Sequence, residues 1–398
     1  MTPLASLLAE RIRRFGPITF AEYMRECLYH PVYGYYSQPE SSRFADYYTS
    51  PDVHPIFGRL LARQFAEMWE QLDRPAEFLL VEAAAGVGRL ANHILEFAES
   101  RLPDFYNVLR YVAVERSPAR CDQLASRLAR FVKERKCQPS IDIPKEVPAG
   151  CVFSNELLDA LPVHRVVQQG GRLQEIFVIN DGAGFSEIAQ PLSTCAITDY
   201  FTALGVRVGS SDTCPDPVGR LGHPESTASP RTITFHESQH AEASLEACDW
   251  ISEVARRLQR GFVLTIDYGH EAADLFDAHR MAGTVLAYAK HQANEDFYAA
   301  PGEQDLTAHI NFTALRLWGQ RHGLETLGLV SQTQFLLALG QGNEFADLFD
   351  PGIDETVRVR ARLHLKTLIY PEGIGERFRI LLQQKSVPQA KLTGLLGL

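Results

Sequence analysis

The chain contains no Cys-x-x-Cys pair. Its cysteines (27, 121, 137, 151, 195, 214 and 248) stand far apart, with no cluster of histidines beside them. That scatter excludes a zinc-binding framework and predicts reduced thiols in a cytoplasmic protein, not a disulfide scaffold. No apolar run approaches the ~20 residues that cross a bilayer, so no membrane span is expected. There is no basic excess either: 39 Lys and Arg face 49 Asp and Glu, a formal charge of −10. Affinity for nucleic acid rests on clustered positive charge, so general nucleic-acid binding is excluded, while a cationic partner is not. The opening MTPLASLLAERIRRFGP lacks the apolar core of a signal peptide, and Glu10 departs from the acid-poor transit peptides. It reads as an ordinary first helix.

What is present is a globular composition, 45% hydrophobic and 22% charged. Residues 1–75 read as an N-terminal helical cap with a tyrosine-rich lid loop, and residues 76–398 as a core. The core carries a Pro/Ser/Gly-rich surface excursion near 190–232 and an inserted segment near 280–311. Ile56, Leu60, Leu61, Phe65, Met68, Trp69 and Leu72 form one stripe of a helix, to be buried internally or against a second copy in a homodimer. From residue 78 short apolar runs alternate with helical patterns: FLLVE, YVAVE, CVFSNE and GFVLTIDYG are strands. That alternation predicts an α/β fold with a doubly wound, mostly parallel sheet.

Between FLLVE and the helix GRLANHIL lies a junction of almost bare backbone, Ala83-Ala84-Ala85-Gly86-Val87-Gly88. A strand, a tight turn and a helix start aim backbone N–H groups at one spot, and glycine lets a ligand approach the main chain. Glu82 precedes the junction. A carboxylate there repels the pyrophosphate of NAD but suits the ammonium and sulfonium of S-adenosylmethionine. Glu115, at the tip of the next strand, is placed to accept hydrogen bonds from ribose hydroxyls. Small residues after a strand also serve close helix packing alone, so the two acids carry the argument. Further on, CVFSNELLDALPVHRV sets Asn155, Glu156 and Asp159 where a strand emerges at the ligand edge. Helix capping accounts for one of these polar groups, not all three.

These pieces resemble the MidA-like proteins, a bacterial and mitochondrial family that includes a mitochondrial complex I assembly factor acting as a protein arginine methyltransferase. The matching stretches, in family order, are ITFAEYMRECLYHPVYGYY, YTSPDVHPIFGRLLA, VEAAAGVGRL, VERSP, SNELLDALPVHR, LTIDYG, HQANEDFYAAPGEQDLTAHINFTAL and YPEGIGERFRILLQQK. The resemblance implies a class I methyltransferase (Rossmann-like) sheet of seven strands with an N-terminal helical cap. It implies S-adenosyl-L-methionine bound by Glu82, Ala84, Gly86, Gly88, Glu115 and Asn155, with Thr49, Ser50 and Pro51 closing over it. It also implies a protein arginine as acceptor, in a quinone-oxidoreductase subunit. Departures are concrete: Ala84 stands where the family has glycine, Val87 where it has arginine, and Ala45 where it has glycine.

A guanidinium is always protonated in water, so its gripping calls for paired carboxylates. Glu156 and Asp159, three residues apart, are the candidate pair if a helical turn follows the strand. His164 is a candidate proton acceptor, and Asp267 with Tyr268 lies at the same edge. Tyr29, Tyr33, Tyr35 and Tyr36 are candidates for an aromatic lid, or for cap packing. Asp305, Thr307 and His309 read as structural or substrate-positioning, without a metal-ligand set. The alternative function is an assembly factor of the same fold, weak or inactive in catalysis, that binds a partner protein.

Overall fold

The computed structural model describes residues 1–37, 54–207, 233–289, 292–341, 345, 355–370, 375–388 and 390–396. The chain divides into two compact units. One comprises Met1–Gln38, Ala160–Asp249 and His270–Leu315; the other comprises Pro39–Asp159, Trp250–Gly269 and Arg316–Leu398. Long-range pairing builds the first unit. Ile18 and Thr19, between the first two helices, pair antiparallel with Val178 and Phe177 of the strand Arg172–Asn180. The N-terminal helices therefore belong with a strand that sequence order places inside the core.

The second unit holds the main sheet. Among the described residues the sheet has eight strands, and those on its main path are β1 (Phe78–Ala83), β2 (Leu109–Val114), β3 (Cys137–Ser140), β4 (Gly150–Asn155), β5 (Gly261–His270), β6 (Glu325–Ser331) and β7 (Phe378–Lys385). The main path across the sheet runs β6-β7-β5-β4-β1-β2-β3. Neighbours from β5 to β3 are parallel, whereas β7 is antiparallel to both β5 and β6. β1 and β4 are nearly continuous apolar runs because both of their faces are covered. β3, CQPS, has one apolar residue and a proline; it is an edge strand that periodicity does not announce.

Helix α1 (Ile56–Gln71) buries Ile56, Phe57, Leu60, Leu61, Phe65, Met68 and Trp69, and Leu72 just beyond it. With α2 (Arg89–Arg101) it joins one face of the sheet in a single apolar cluster that includes Phe78, Leu80, Tyr111, Phe153 and Leu264. The stripe is therefore satisfied inside the chain, at about 1.5–3 kcal/mol per large side chain. That face needs no second copy.

The first unit has a separate core. Pro3–Phe15 is capped by Thr2 and ends at Gly16, and Phe20–Tyr29 opens with a reciprocal Thr19–Glu22 capping box. Both bury apolar faces in a cluster with Val163, Val178, Ala287 and Leu306. The strands His164–Gln169 and Arg172–Asn180 form an antiparallel hairpin. Among the described residues, cysteines 27, 121, 137, 151 and 248 are free.

Candidate active site

At the end of β1 the backbone turns through left-handed conformations. Ala84 has φ 60°, Gly86 56° and Gly88 78°. The Ala85 amide donates to the Val114 carbonyl at 2.8 Å and the Gly88 amide to that of Ala85 at 2.9 Å, so the turn is tied to β2 before α2 begins. Gly88 is the N-cap of α2 without a side-chain cap, leaving the first helical amides to other partners. A Cβ on Gly86 would meet nothing within 4 Å, whereas one on Gly88 would approach Leu128 at 3.1 Å. Gly86 thus leaves main chain open to a ligand, and Gly88 permits packing. Ala84 occupies the region that costs an L-residue about 1–2 kcal/mol. It is exposed, so its methyl does not fill the core.

The two acids beside the turn are buried. Tyr111 donates to Glu82 Oε2 at 2.7 Å, and Glu82 is 3% exposed. Burial pushes the Glu82 carboxyl up to about 8, against the Tyr111 hydrogen bond and with help from the charge of Glu115. Tyr111 is the partner that sequence reading missed. The available signal was its position in YVAVE, on the same face of β2 as Ala113, which stands opposite Glu82. Glu115 accepts from the Gly86 amide at 3.0 Å and the Ser117 amide at 2.8 Å. Burial raises its carboxyl and these backbone donors oppose the rise. Glu115 therefore clamps the glycine turn to the end of β2.

β4 ends beside β1, with Ser154 opposite Ala83. Asn155 Nδ2 donates to Glu156 Oε1 at 3.0 Å, while Asn155 Oδ1 is buried with no hydrogen-bond partner. Glu156 is left-handed, φ 53°, and its amide donates to the Ile266 carbonyl of β5 at 3.0 Å. Only then comes one short 3-10 turn, Leu158–Ala160, which carries Asp159, 5% exposed. No α-helical turn sets the spacing of Glu156 and Asp159; the tie to β5 does. Asp267, fully buried in β5, accepts from the Leu158 amide at 2.9 Å and from the Tyr268 amide at 3.0 Å. The Tyr268 hydroxyl donates to Asp159. The Asp267 carboxyl lies well above the usual carboxylate range, through burial first and then the charges of Asp159 and Glu156. Those interactions gather the three acids at one place.

The remaining described candidates belong to the first unit. His164 is in the first unit, where its Nδ1 lies 2.7 Å from Oε1 of the fully buried Glu175. Tyr29 donates to the Ala160 carbonyl and stacks on Tyr36, which donates to both oxygens of the buried Asp305. Burial and the neighbours His270 and Arg280 push the His309 imidazole down to about 4. Thr49, Ser50 and Pro51 lie outside the described residues. No described helix is long and apolar enough to cross a membrane.

Comparison with known proteins decides the class. A family described as "Putative S-adenosyl-L-methionine-dependent methyltransferase" matches residues 60–330. The chain belongs to this family. It is an S-adenosyl-L-methionine-dependent methyltransferase of α/β fold with mixed sheets. The chain is 28% identical to protein arginine methyltransferase NDUFAF7, mitochondrial, of Bos taurus, over 99% of this chain and 85% of that protein. It is 27% identical to the protein of the same name in Homo sapiens, again over 99% and 85%. A crystal structure from Burkholderia thailandensis, described as a "likely methyl transferase" and bound to S-adenosyl-homocysteine, matches with a TM-score of 0.82. The two are 25% identical over 99% of this chain and 94% of that one. The NDUFAF7 relatives carry mitochondrial names, which overturns the cytoplasmic expectation. The residues present fit the family's cofactor: main chain open at Gly86, an unpartnered buried acceptor on Asn155, and the Glu115 carboxyl at the end of β2.

Proposed function

We propose that the chain methylates an arginine side chain of a protein, on a core of the class I methyltransferase type. The observation that carries this reading is the gathering of Glu156, Asp159 and Asp267 at the β4 and β5 ends, whose mutual repulsion a cation relieves. The names of the relatives support arginine as the acceptor, and a quinone-oxidoreductase subunit is the candidate protein substrate.

Gly86, Gly88, Ala84 and Glu115 would hold the cofactor at the junction, with Glu82 beneath and Asn155 beside it; Thr49, Ser50 and Pro51 remain candidates to close over it. When bound, that cofactor supplies an electrophilic methyl group on positively charged sulfur. Glu156 and Asp159 grip the guanidinium by charge-assisted hydrogen bonds and direct one nitrogen at that methyl. Their negative charge draws positive charge onto the gripped nitrogens and leaves the aimed one more nucleophilic. A carboxylate of the pair takes the proton which that nitrogen sheds. His164, held by Glu175 within the first unit, stays a separate candidate proton acceptor.

One observation favours the alternative, an inactive assembly factor: Ala84 holds a strained left-handed conformation where glycine is free of strain. Labelled-methyl transfer to an arginine-bearing peptide, read by mass spectrometry, separates the readings. Label on a guanidinium nitrogen, lost in Glu156→Gln, supports the enzyme. No transfer at saturating cofactor leaves the assembly factor.

A further inference from the structure

The acid turn is not self-supporting. All three of its anchors come from β5, more than a hundred residues away: Asp267 takes the Leu158 amide and Tyr268 donates to Asp159, each across 109 positions. The third is the Glu156 amide on the Ile266 carbonyl. Glu156 itself sits in a conformation that an L-residue adopts only when its surroundings impose it. Asp267 is an awkward choice for a purely structural anchor. It is fully buried, and it stands against two other carboxylates that raise its own protonation range. Its two oxygens take two different amides, those of Leu158 and Tyr268, and an asparagine could accept only one of them. The arrangement becomes economical if a cation arrives to share the field of all three acids.

We propose that Asp267 and Tyr268 are positioning residues of the acceptor site. Asp267 fixes the backbone of the turn, and Tyr268 fixes the carboxylate of Asp159, so that Glu156 and Asp159 meet a planar cation in one preset geometry. This rests on the reading of Glu156 and Asp159 as the acceptor-binding pair. Tyr268 also packs edge-on against Phe378, with ring centroids 5.5 Å apart, so Tyr268→Phe removes the hydroxyl and keeps the ring contact.

The test measures three quantities in Tyr268→Phe and Asp267→Asn: affinity for an arginine peptide by calorimetry with S-adenosylhomocysteine present, the peptide KM and kcat, and affinity for S-adenosylmethionine. Tyr268→Phe should weaken peptide affinity and raise KM about tenfold, with kcat falling less. Asp267→Asn, which turns an amide toward the Leu158 N–H, should cost about a hundredfold in kcat/KM. Cofactor affinity should stay at the wild-type value in both. Wild-type peptide affinity and KM in Tyr268→Phe overturn the proposal. So does a fall in kcat alone that tracks a fall in folded protein in both variants, since that is the signature of a merely structural role. A wild-type protein that binds and methylates no arginine peptide defeats the arginine reading itself, a distinct result from wild-type activity with indifferent variants.

Discussion

The two strand ends that meet at this edge of the core sheet are built from opposite materials. The end of β1 is nearly bare main chain, and its acids are already engaged: Glu82 with Tyr111, Glu115 with the amides of Gly86 and Ser117. The end of β4 is crowded with carboxylates, and its backbone is engaged instead, at Leu158 and Glu156. The first end offers shape and leaves its charge buried. The second offers charge and fixes its shape from a neighbouring strand. Division of labour follows: a nucleoside cofactor needs close approach to main chain, and a guanidinium needs directed negative charge.

The largest effect that could break this comparison is at the acid turn. Replacing Glu156 by Gln and Asp159 by Asn together should lower methyl transfer to an arginine peptide at least ~100-fold, measured as kcat/KM, with cofactor affinity unchanged. Next comes the clamp. Glu115→Ala removes the acceptor for two turn amides and should weaken S-adenosylmethionine binding ~10- to 100-fold by calorimetry. Equal losses of both ligands in either variant would erase the distinction between the two ends.

A smaller effect sharpens the claim that Glu82 is a buried, proton-holding acid. Its ordinary value is 4.5 and the folded protein raises it to about 8. Below pH 4.5 folded and unfolded chains both keep the proton and there is no penalty. Between 4.5 and 8 only the unfolded chain loses it, so stability falls as pH rises through this window. Glu82→Gln should therefore stabilise the ligand-free protein by an amount growing from pH 4.5 to 8, on the order of 4 kcal/mol at the top. Chemical denaturation across that range checks it, and a pH-independent difference contradicts it. The smallest effect is Ala84→Gly, expected to add about 0.5–1 kcal/mol by relieving the left-handed alanine.

Much of this was legible before any coordinates. Apolar runs announced β1, β2, β4 and β5, and a 3.6-residue stripe announced the buried face of α1, because burial demands those periods. The turn glycines and the acids at strand tips were legible as the points where small and charged residues interrupt the apolar runs. Illegible were features that depend on distant pairing. The grip of Asp267 on Leu158, the pairing of Ile18 with Val178 and the hydrogen bond from Tyr111 to Glu82 each require knowing which strands are neighbours. The sign of φ at Ala84 depends on the turn type, which alanine does not disclose. The spacing of Glu156 and Asp159 suggested a helix turn, yet the turn owes its form to β5.

Calorimetry with S-adenosylmethionine on the wild-type protein and on Glu156→Gln, paired with a methyl-transfer assay on the same samples, tests the separation of the two ends most directly. The account predicts equal cofactor affinity in both proteins, with transfer to an arginine peptide present in the first and lost in the second. Absence of binding to the wild-type protein at millimolar cofactor, or undiminished transfer by Glu156→Gln, would contradict it.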